Sequence, residues 1–283
     1  MDFFPSKSAD FIPQDFRALL PAGDAFERIM ALQGEVFRDV PGRKTIRVSL
    51  GGKSYFVKQH SGVGWKEIFK NLLTGKLPVL GADTEWRAIH KLGELGIATT
   101  PAVAYASRSC NPARRRSFVV TRDLGDIVSL EDFCHNWAAE PPDLRLKRSI
   151  IRAVADISRR LHNHGLSHRD FYICHFCLDG ARLADGEILL YLLDLHRVGI
   201  RDTIPHTARM KDIAALYFSA MDAGLSRRDY LRFVRLYCGT LRHALAHGQP
   251  FWKQVEARAR TLYRKFHGRW PNTSPASTQE KIQ

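Results

Sequence analysis

Four charged positions, met in one order along the chain, constrain this sequence more than its composition does. Lys58 closes the alternating stretch Ser54 to Lys58, and Glu85 stands at the start of a helical stretch. The tripeptide His168-Arg169-Asp170 follows a helical pattern, and Asp194 leaves the apolar run Ile188 to Leu193. Taken singly, each has an ordinary reading. A lysine at a strand end is solvated, a carboxylate in a first helical turn is favourable there, and an Arg–Asp neighbour pair is structural. Taken in order, they supply a cation for phosphate oxygens, a carboxylate to orient it, a loop acid to take a hydroxyl proton, and a second acid for a metal. Phosphoryl transfer needs these groups.

The surrounding patterns give these residues an α+β frame. Gly34 to Val40 alternates, Pro41-Gly42-Arg43 is a turn, Thr45 to Leu50 alternates again, and Gly51-Gly52 leads into Ser54 to Lys58. This predicts a three-stranded antiparallel meander. A helix is expected from about Thr84, then short strands at Val103 to Tyr105 and Ser117 to Thr121. Beyond them Ile150, Ile151, Val154, Ile157 and Leu161 mark one helical face that stops at His164-Gly165. A strand pair is expected at Tyr172 to Leu178 and Ile188 to Leu193. Met210 to Met221 and Arg227 to His247 read as further helices.

The chain has 283 residues, 45% of them hydrophobic, enough for one large domain or two small ones, which excludes a disordered chain. Lys and Arg number 43 against 29 Asp and Glu, a formal charge of +14, so a polyanionic partner is expected. No apolar run approaches the ~20 residues of a membrane helix, and Met1 to Pro5 lacks the pattern of a secretion signal. Five cysteines suit reduced thiols, and the expected location is cytoplasmic. Two stretches point toward a surface: Phe3, Phe4, Phe11, Ile12 and Phe16 near the start, and Gly62 to Leu73, where Trp65, Phe69 and Leu72 mix with lysines, a stripe that suits a membrane interface but more often marks an ordinary amphipathic helix packed on the protein. A peripheral place on an inner-membrane face is part of the expectation. Clustered aromatic and basic platforms of RNA readers are not evident, so nucleic acid is not an expected partner.

Longer stretches carry a more specific resemblance. They include Leu32 to Arg38, Tyr55 to Lys58, Gly64 to Leu73, Glu85 to His90, Cys110 to Ala113 and Val128 to Phe133. They continue in His168 to Phe176, Leu193 to Arg197 and Lys211 to Ala220. In these the chain, from about residue 25 to 245, resembles the lipopolysaccharide core heptose kinases of Gram-negative bacteria. The resemblance implies a two-lobed protein-kinase-like fold with a small β-rich N-lobe and a larger helical C-lobe. The expected division is an arm at 1–24, a nucleotide-binding N-lobe at 25–122, a hinge at 123–132, a C-lobe with the catalytic loop at 133–270 and, from its polar composition, a disordered tail at 271–283. The resemblance also implies ATP as donor, Mg²⁺ as metal and the 4-hydroxyl of heptose I of the lipid A-linked inner core as acceptor. Asp170 would be the catalytic base, Asp194 the metal ligand, Lys58 the phosphate-binding lysine and Glu85 its partner. The family also brings in acyl carrier protein as a further partner.

The departures from a protein kinase are specific. No Gly-x-Gly-x-x-Gly precedes Lys58. The turn holds one glycine, Gly42, and Arg43 and Lys44 are candidates to supply charge to phosphate in its place. His175 stands five residues after Asp170, where an asparagine usually holds a second metal. Imidazole is a poorer Mg²⁺ ligand than oxygen, so His175 is a secondary metal candidate. Asp212 is a candidate brace for the catalytic loop. His162 and His164 read as helix-terminal, favourable there or solvated, and Cys174-x-x-Cys177 as a decoy for zinc or redox chemistry. Arg114-Arg115-Arg116 belongs to the basic surface that would meet the acceptor. Two alternatives stay open at this point: a small-molecule kinase of the same fold for an aminoglycoside, choline or another sugar, and a non-catalytic basic binding module.

Overall fold

In the computed structural model, residues 10–62, 64–65, 81–109, 111–242 and 248–271 are described. Most of the Gly62 to Leu73 stretch and all but Pro271 of the tail lie outside them. The chain divides into two units, Met1–Gly125 with Asp194–Val198, and Asp126–Leu193 with Gly199–Gln283. The N-terminal part is an antiparallel sheet with helices, and the C-terminal part is mostly helical.

The first unit is built on five strands: β1 Glu35–Val40, β2 Arg43–Leu50, β3 Lys53–His60, β4 Ala102–Arg108 and β5 Arg116–Arg122. Their order is β1-β2-β3-β5-β4, every pairing antiparallel. Pro41-Gly42 joins β1 to β2. Proline fixes the first turn residue, and Gly42 takes a φ of 77° that a side chain would disfavour. The pleat then sorts the side chains. Ile46, Val48, Tyr55, Val57, Ala104, Ala106, Phe118 and Val120 form one face and pack with Phe16, Phe26 and Ile29. Phe16 is thus core, and the described part of the arm lies against the sheet, with Phe11 and Tyr105 exchanging backbone hydrogen bonds of 2.7 Å. Lys58 and Val119 are paired across β3 and β5, and Val119 pairs with Tyr105, so these three share the opposite face.

That opposite face receives the helix Asp83–Glu94. Trp86 stacks on Tyr105 at 5.1 Å. The start of the helix is anchored twice. The Ala82 amide donates to Ser117 Oγ at 3.0 Å. The Asp83 carboxylate accepts from Tyr105 O–H at 2.5 Å and from Arg115 Nη1 at 3.2 Å. Arg115 is 5% exposed and Asp83 2%. The middle residue of Arg114-Arg115-Arg116 therefore faces inward, contrary to its reading as surface charge, because the buried Asp83 requires a counter-ion. Arg116 is occupied as well, forming a two-pronged bond to Glu27 at 2.8 and 2.9 Å. Arg115→Met strands the Asp83 charge, so stability is expected to fall by ~3–5 kcal/mol. Urea unfolding of the two proteins measures it.

In the second unit the helix Leu144–Asn163 buries Ile150, Ile151, Val154, Ile157 and Leu161, as their spacing requires. Asp143 caps its start by accepting from the amides of Arg145 and Leu146. Strands Ile127–Ser129 (β6), Phe176–Asp179 (β8) and Leu190–Leu192 (β9) form a sheet in the order β6-β8-β9, and Leu166–Ser167 (β7) pairs with Gly199–Ile200 (β10). The expected strand Tyr172 to Leu178 is shorter than read. Ile173–His175 is a single 3₁₀ turn and only Phe176 onward pairs. Helices His206–Ser219, Arg227–Cys238 and Gln249–His267 complete the unit. The last has no counterpart in the sequence reading. An apolar cavity of about 420 Å³ lies among Leu130, Trp137, Val154, Leu216, Tyr217 and Tyr230.

Candidate active site

Alternation along β3 places Phe56, Lys58 and His60 on one face, and the first turn of the helix Asp83–Glu94 places Glu85 opposite them. Lys58 Nζ and Glu85 Oε1 meet at 2.5 Å, with the glutamate side chain 4% exposed. A buried carboxylate fixing a lysine whose ammonium stays partly open is a preset cation, aimed before any ligand arrives. The cross-strand register sets Thr45 opposite Lys58, Arg38 opposite Thr45, and Arg43 opposite His60. Arg43 is half-buried. Burial, then Arg38, pulls its pKa down, while Asp194 and Glu85 pull it up. It thus lies within electrostatic reach of both acids. Lys44 is set apart from it by the pleat. It pairs with Gln59, whose amide serves the inward backbone carbonyls of Ile29, Met30 and Leu32. The two basic residues grouped by sequence lie on opposite faces of β2.

Asp194 belongs to the same unit as Lys58. It has a left-handed backbone, φ 60°, at the end of the strand region and opens the 3₁₀ turn Leu195–Arg197. That turn brings His196 Nδ1 onto Asp194 Oδ1. His60, 3% exposed, is the other imidazole of this unit near the cations. Burial, with Arg43, Lys58 and His196 adding positive charge, holds it down to about 3, so it is neutral at physiological pH. The unfolded chain takes up that proton near pH 6.5 and the folded chain does not until about pH 3. Stability carried by neutral His60 is therefore complete above pH 6.5 and is lost as pH falls below it. Between pH 6.5 and 5 the loss is expected to reach ~2 kcal/mol. Melting temperatures of wild type and His60→Gln across that range test this, the variant giving the flatter curve.

Asp170 and His175 belong to the second unit. The loop carrying Asp170 is held at its backbone. Asp212, 2% exposed, accepts from the His168 amide at 2.7 Å and from the Arg169 amide at 2.9 Å. Arg169 has a φ of 73°, a conformation that costs free energy for a non-glycine residue, and these two bonds hold it there. The Asp170 carbonyl accepts from His175 Nδ1–H at 2.6 Å and from the Tyr172 amide at 3.0 Å. His168 Nε2–H donates to the Leu193 carbonyl at 2.9 Å. Since Nδ1 is the donor in that bond, Nε2 is the nitrogen by which a neutral His175 could ligate a metal.

Asp212 has a second tier of support that sequence reasoning missed. His162, expected at the helix end and in place there, is nevertheless 1% exposed. Its Nε2 lies 3.3 Å from Asp212 Oδ2 and its Nδ1 2.7 Å from Tyr237 O–H. Burial lowers the His162 pKa against the pull of Asp212 and raises that of Tyr237. A neutral ring then donates from Nε2 to Asp212 and accepts the tyrosine proton at Nδ1. The signal was present in the helical period: His162 stands four residues after Ser158 and next to Leu161, on the buried stripe. In Cys174-x-x-Cys177, burial pushes the Cys177 thiol up to about 11, which disfavours a thiolate there. Among the described residues, no three of His, Cys, Asp or Glu converge on a point that could hold a metal ion by themselves.

Residues 27–237 match the family described as "Lipopolysaccharide kinase (Kdo/WaaP) family". The chain is 47% identical over 256 residues to the lipopolysaccharide core heptose(I) kinase WaaP of Pseudomonas aeruginosa, covering 90% of this chain and 96% of that protein. It is 44% identical over 250 residues to the protein of the same name in Escherichia coli, covering 88% and 94%. Among solved structures, one described as WaaP in complex with acyl carrier protein superposes with a TM-score of 0.78 at 41% identity, covering 90% of this chain and all of that one.

Proposed function

The chain belongs to the lipopolysaccharide kinase (Kdo/WaaP) family, and on that premise we propose that it transfers the terminal phosphate of ATP to the 4-hydroxyl of heptose I in the lipopolysaccharide inner core. The observation that carries this is 44–47% identity over about nine-tenths of the chain to kinases named for that acceptor. Identity at that level along nearly the full length of each relative supports a common reaction as well as a common fold. The division of labour is that of a protein-kinase-like fold.

The donor set fits a magnesium nucleotide. Mg²⁺ keeps waters and phosphate oxygens as most of its ligands and needs only one or two protein carboxylates. Asp194, an acceptor-only side chain at a strand end, is the residue that would hold it, with His175 a secondary candidate. When bound, the metal neutralises charge on the phosphate oxygens. The remaining work belongs to side chains. Lys58, oriented by Glu85, neutralises phosphate oxygens. Arg43 adds a second cation beside the Gly42 turn, where a glycine-rich loop would otherwise offer backbone amides. Asp170, its backbone held on both sides, accepts the proton of the sugar hydroxyl as that oxygen attacks.

Acceptor choice tests the reading. The chain is incubated with ATP, Mg²⁺ and core oligosaccharide lacking phosphate, and in parallel with an aminoglycoside and with choline. One added phosphate on the oligosaccharide alone is the expected mass spectrum. Transfer only to another acceptor makes this a small-molecule kinase. No transfer to any of them supports the non-catalytic module.

Acyl carrier protein is a second proposed partner, supported by the relative solved in complex with one. The apolar cavity of about 420 Å³ offers room for an apolar group that such a partner presents. The substrate class also implies work at an anionic membrane surface, to which a +14 chain is drawn. No helix among the described residues is long and apolar enough to cross that membrane.

A further inference from the structure

The helix Gln249–His267 ends in a surface that the phosphate-transfer chemistry does not use. From Arg264 to Trp270 every residue is exposed. Phe266 is 77% exposed, the most exposed large apolar side chain among the described residues, and Trp270 is 49% exposed. Cations surround them. Arg264 and Arg260 lie over the Trp270 ring at 4.8 and 5.9 Å, and Arg269 lies over the Tyr263 ring at 5.4 Å. Lys265 is a further exposed cation on this turn, and Asp222, which accepts from Tyr263 O–H, is the carboxylate at its base.

The patch also has a direction. Phe266 packs edge-on against Phe218 at 5.9 Å, and Phe218 packs edge-on against Tyr172 at 6.2 Å. Tyr172 is two residues beyond Asp170 and donates its amide to the Asp170 carbonyl. A row of three aromatic rings therefore links the exposed patch to the loop of the proposed base, within one unit of the chain.

We propose that Phe266 and Trp270, with Arg264, Lys265 and Arg269, dock the protein on an anionic lipid bilayer. The aromatic rings would enter the headgroup region while the arginines and lysine meet lipid phosphates. Tryptophan and arginine together suit that boundary, because each has an apolar body and a polar tip. Charge complementarity favours the bilayer, since several cations on one turn surround two exposed aromatic rings, as a headgroup boundary requires. A lipid-linked sugar has its reacting hydroxyl just outside the headgroups, so docking beside the Asp170 loop brings base and acceptor to one level. This last step rests on the acceptor reading above, whereas the docking itself does not.

Full-length protein without nucleotide is mixed with vesicles of phosphatidylcholine, with or without about one-third phosphatidylglycerol, and bound protein is measured by sedimentation. Wild type should bind the anionic vesicles and leave them as salt is raised. The Phe266→Ser/Trp270→Ser variant should bind about ten-fold more weakly. Arg264→Gln/Lys265→Gln/Arg269→Gln should lose roughly five-fold per removed cation. Both should phosphorylate delipidated core oligosaccharide at the wild-type rate. If wild type transfers no phosphate while the vesicle results hold, the acceptor reading fails and the docking surface stands. Unchanged vesicle binding in both variants overturns the proposal. So does loss of acyl carrier protein binding in them with vesicle binding intact.

Discussion

Asp170→Asn should lower kcat for heptose phosphorylation by about three orders of magnitude, within the range a general base contributes. Asparagine keeps the size and the outward hydrogen-bonding shape of aspartate but cannot take a proton. The backbone clamps on this loop, from Asp212 on one side and from His175 and Tyr172 on the other, do not use the Asp170 carboxylate. The variant should therefore fold as wild type does and bind ATP with an unchanged KM. Steady-state kinetics with both substrates varied, with a thermal melt beside them, measures all three quantities. A loss of kcat below ten-fold would remove the base role from this residue.

Asp212→Ala should act by another route and nearly as strongly. Its carboxylate accepts three hydrogen bonds in a fully buried place, two of them from the amides that hold Arg169 in its left-handed conformation. Removing it leaves those donors without an acceptor at a cost of ~1–3 kcal/mol each, and frees the backbone one residue from Asp170. Displacement of a reacting group by about 1 Å costs roughly a hundred-fold in rate. We expect kcat to fall ~10²–10³-fold, the ATP KM to stay within a few-fold, and stability to fall by several kcal/mol, on the order of 3–5. His162→Gln, which loses the ring that braces Asp212 but leaves both loop amides bonded, should fall between this variant and wild type in both readouts. A kcat loss in His162→Gln as large as in Asp212→Ala would mean the imidazole does more than support.

The residues whose roles depend on local pattern were the legible ones. The pairing of Lys58 with Glu85 follows from their order along the chain and from the family resemblance, and the ion pair between them agrees with it. The meander, the two later strands and the helix Leu144–Asn163 follow from periods of 2 and 3.6 residues alone. Groups defined by burial across long sequence separations were not legible. Arg115 sits in a run of three arginines that looks like surface charge, and only the distant Asp83 and Tyr105 turn it inward. His162 looked terminal because Tyr237, 75 residues on, gives no local cue to its burial. Lys44 and Arg43 are neighbours in sequence but lie on opposite faces once register is fixed. The strand expected from Tyr172 was cut short because His175 bonds back to the Asp170 carbonyl, closing a turn where pairing would have begun.

Phosphorylation of one sugar hydroxyl, with Asp170 as base, has a direct readout on the product. The most direct measurement is phosphorus–proton correlation NMR of core oligosaccharide after reaction with ATP and Mg²⁺, run side by side for wild type and Asp170→Asn. Wild type should give a single phosphate ester at O4 of heptose I and the variant no ester above background. Phosphate on any other oxygen, or the same ester formed equally by both proteins, would contradict it.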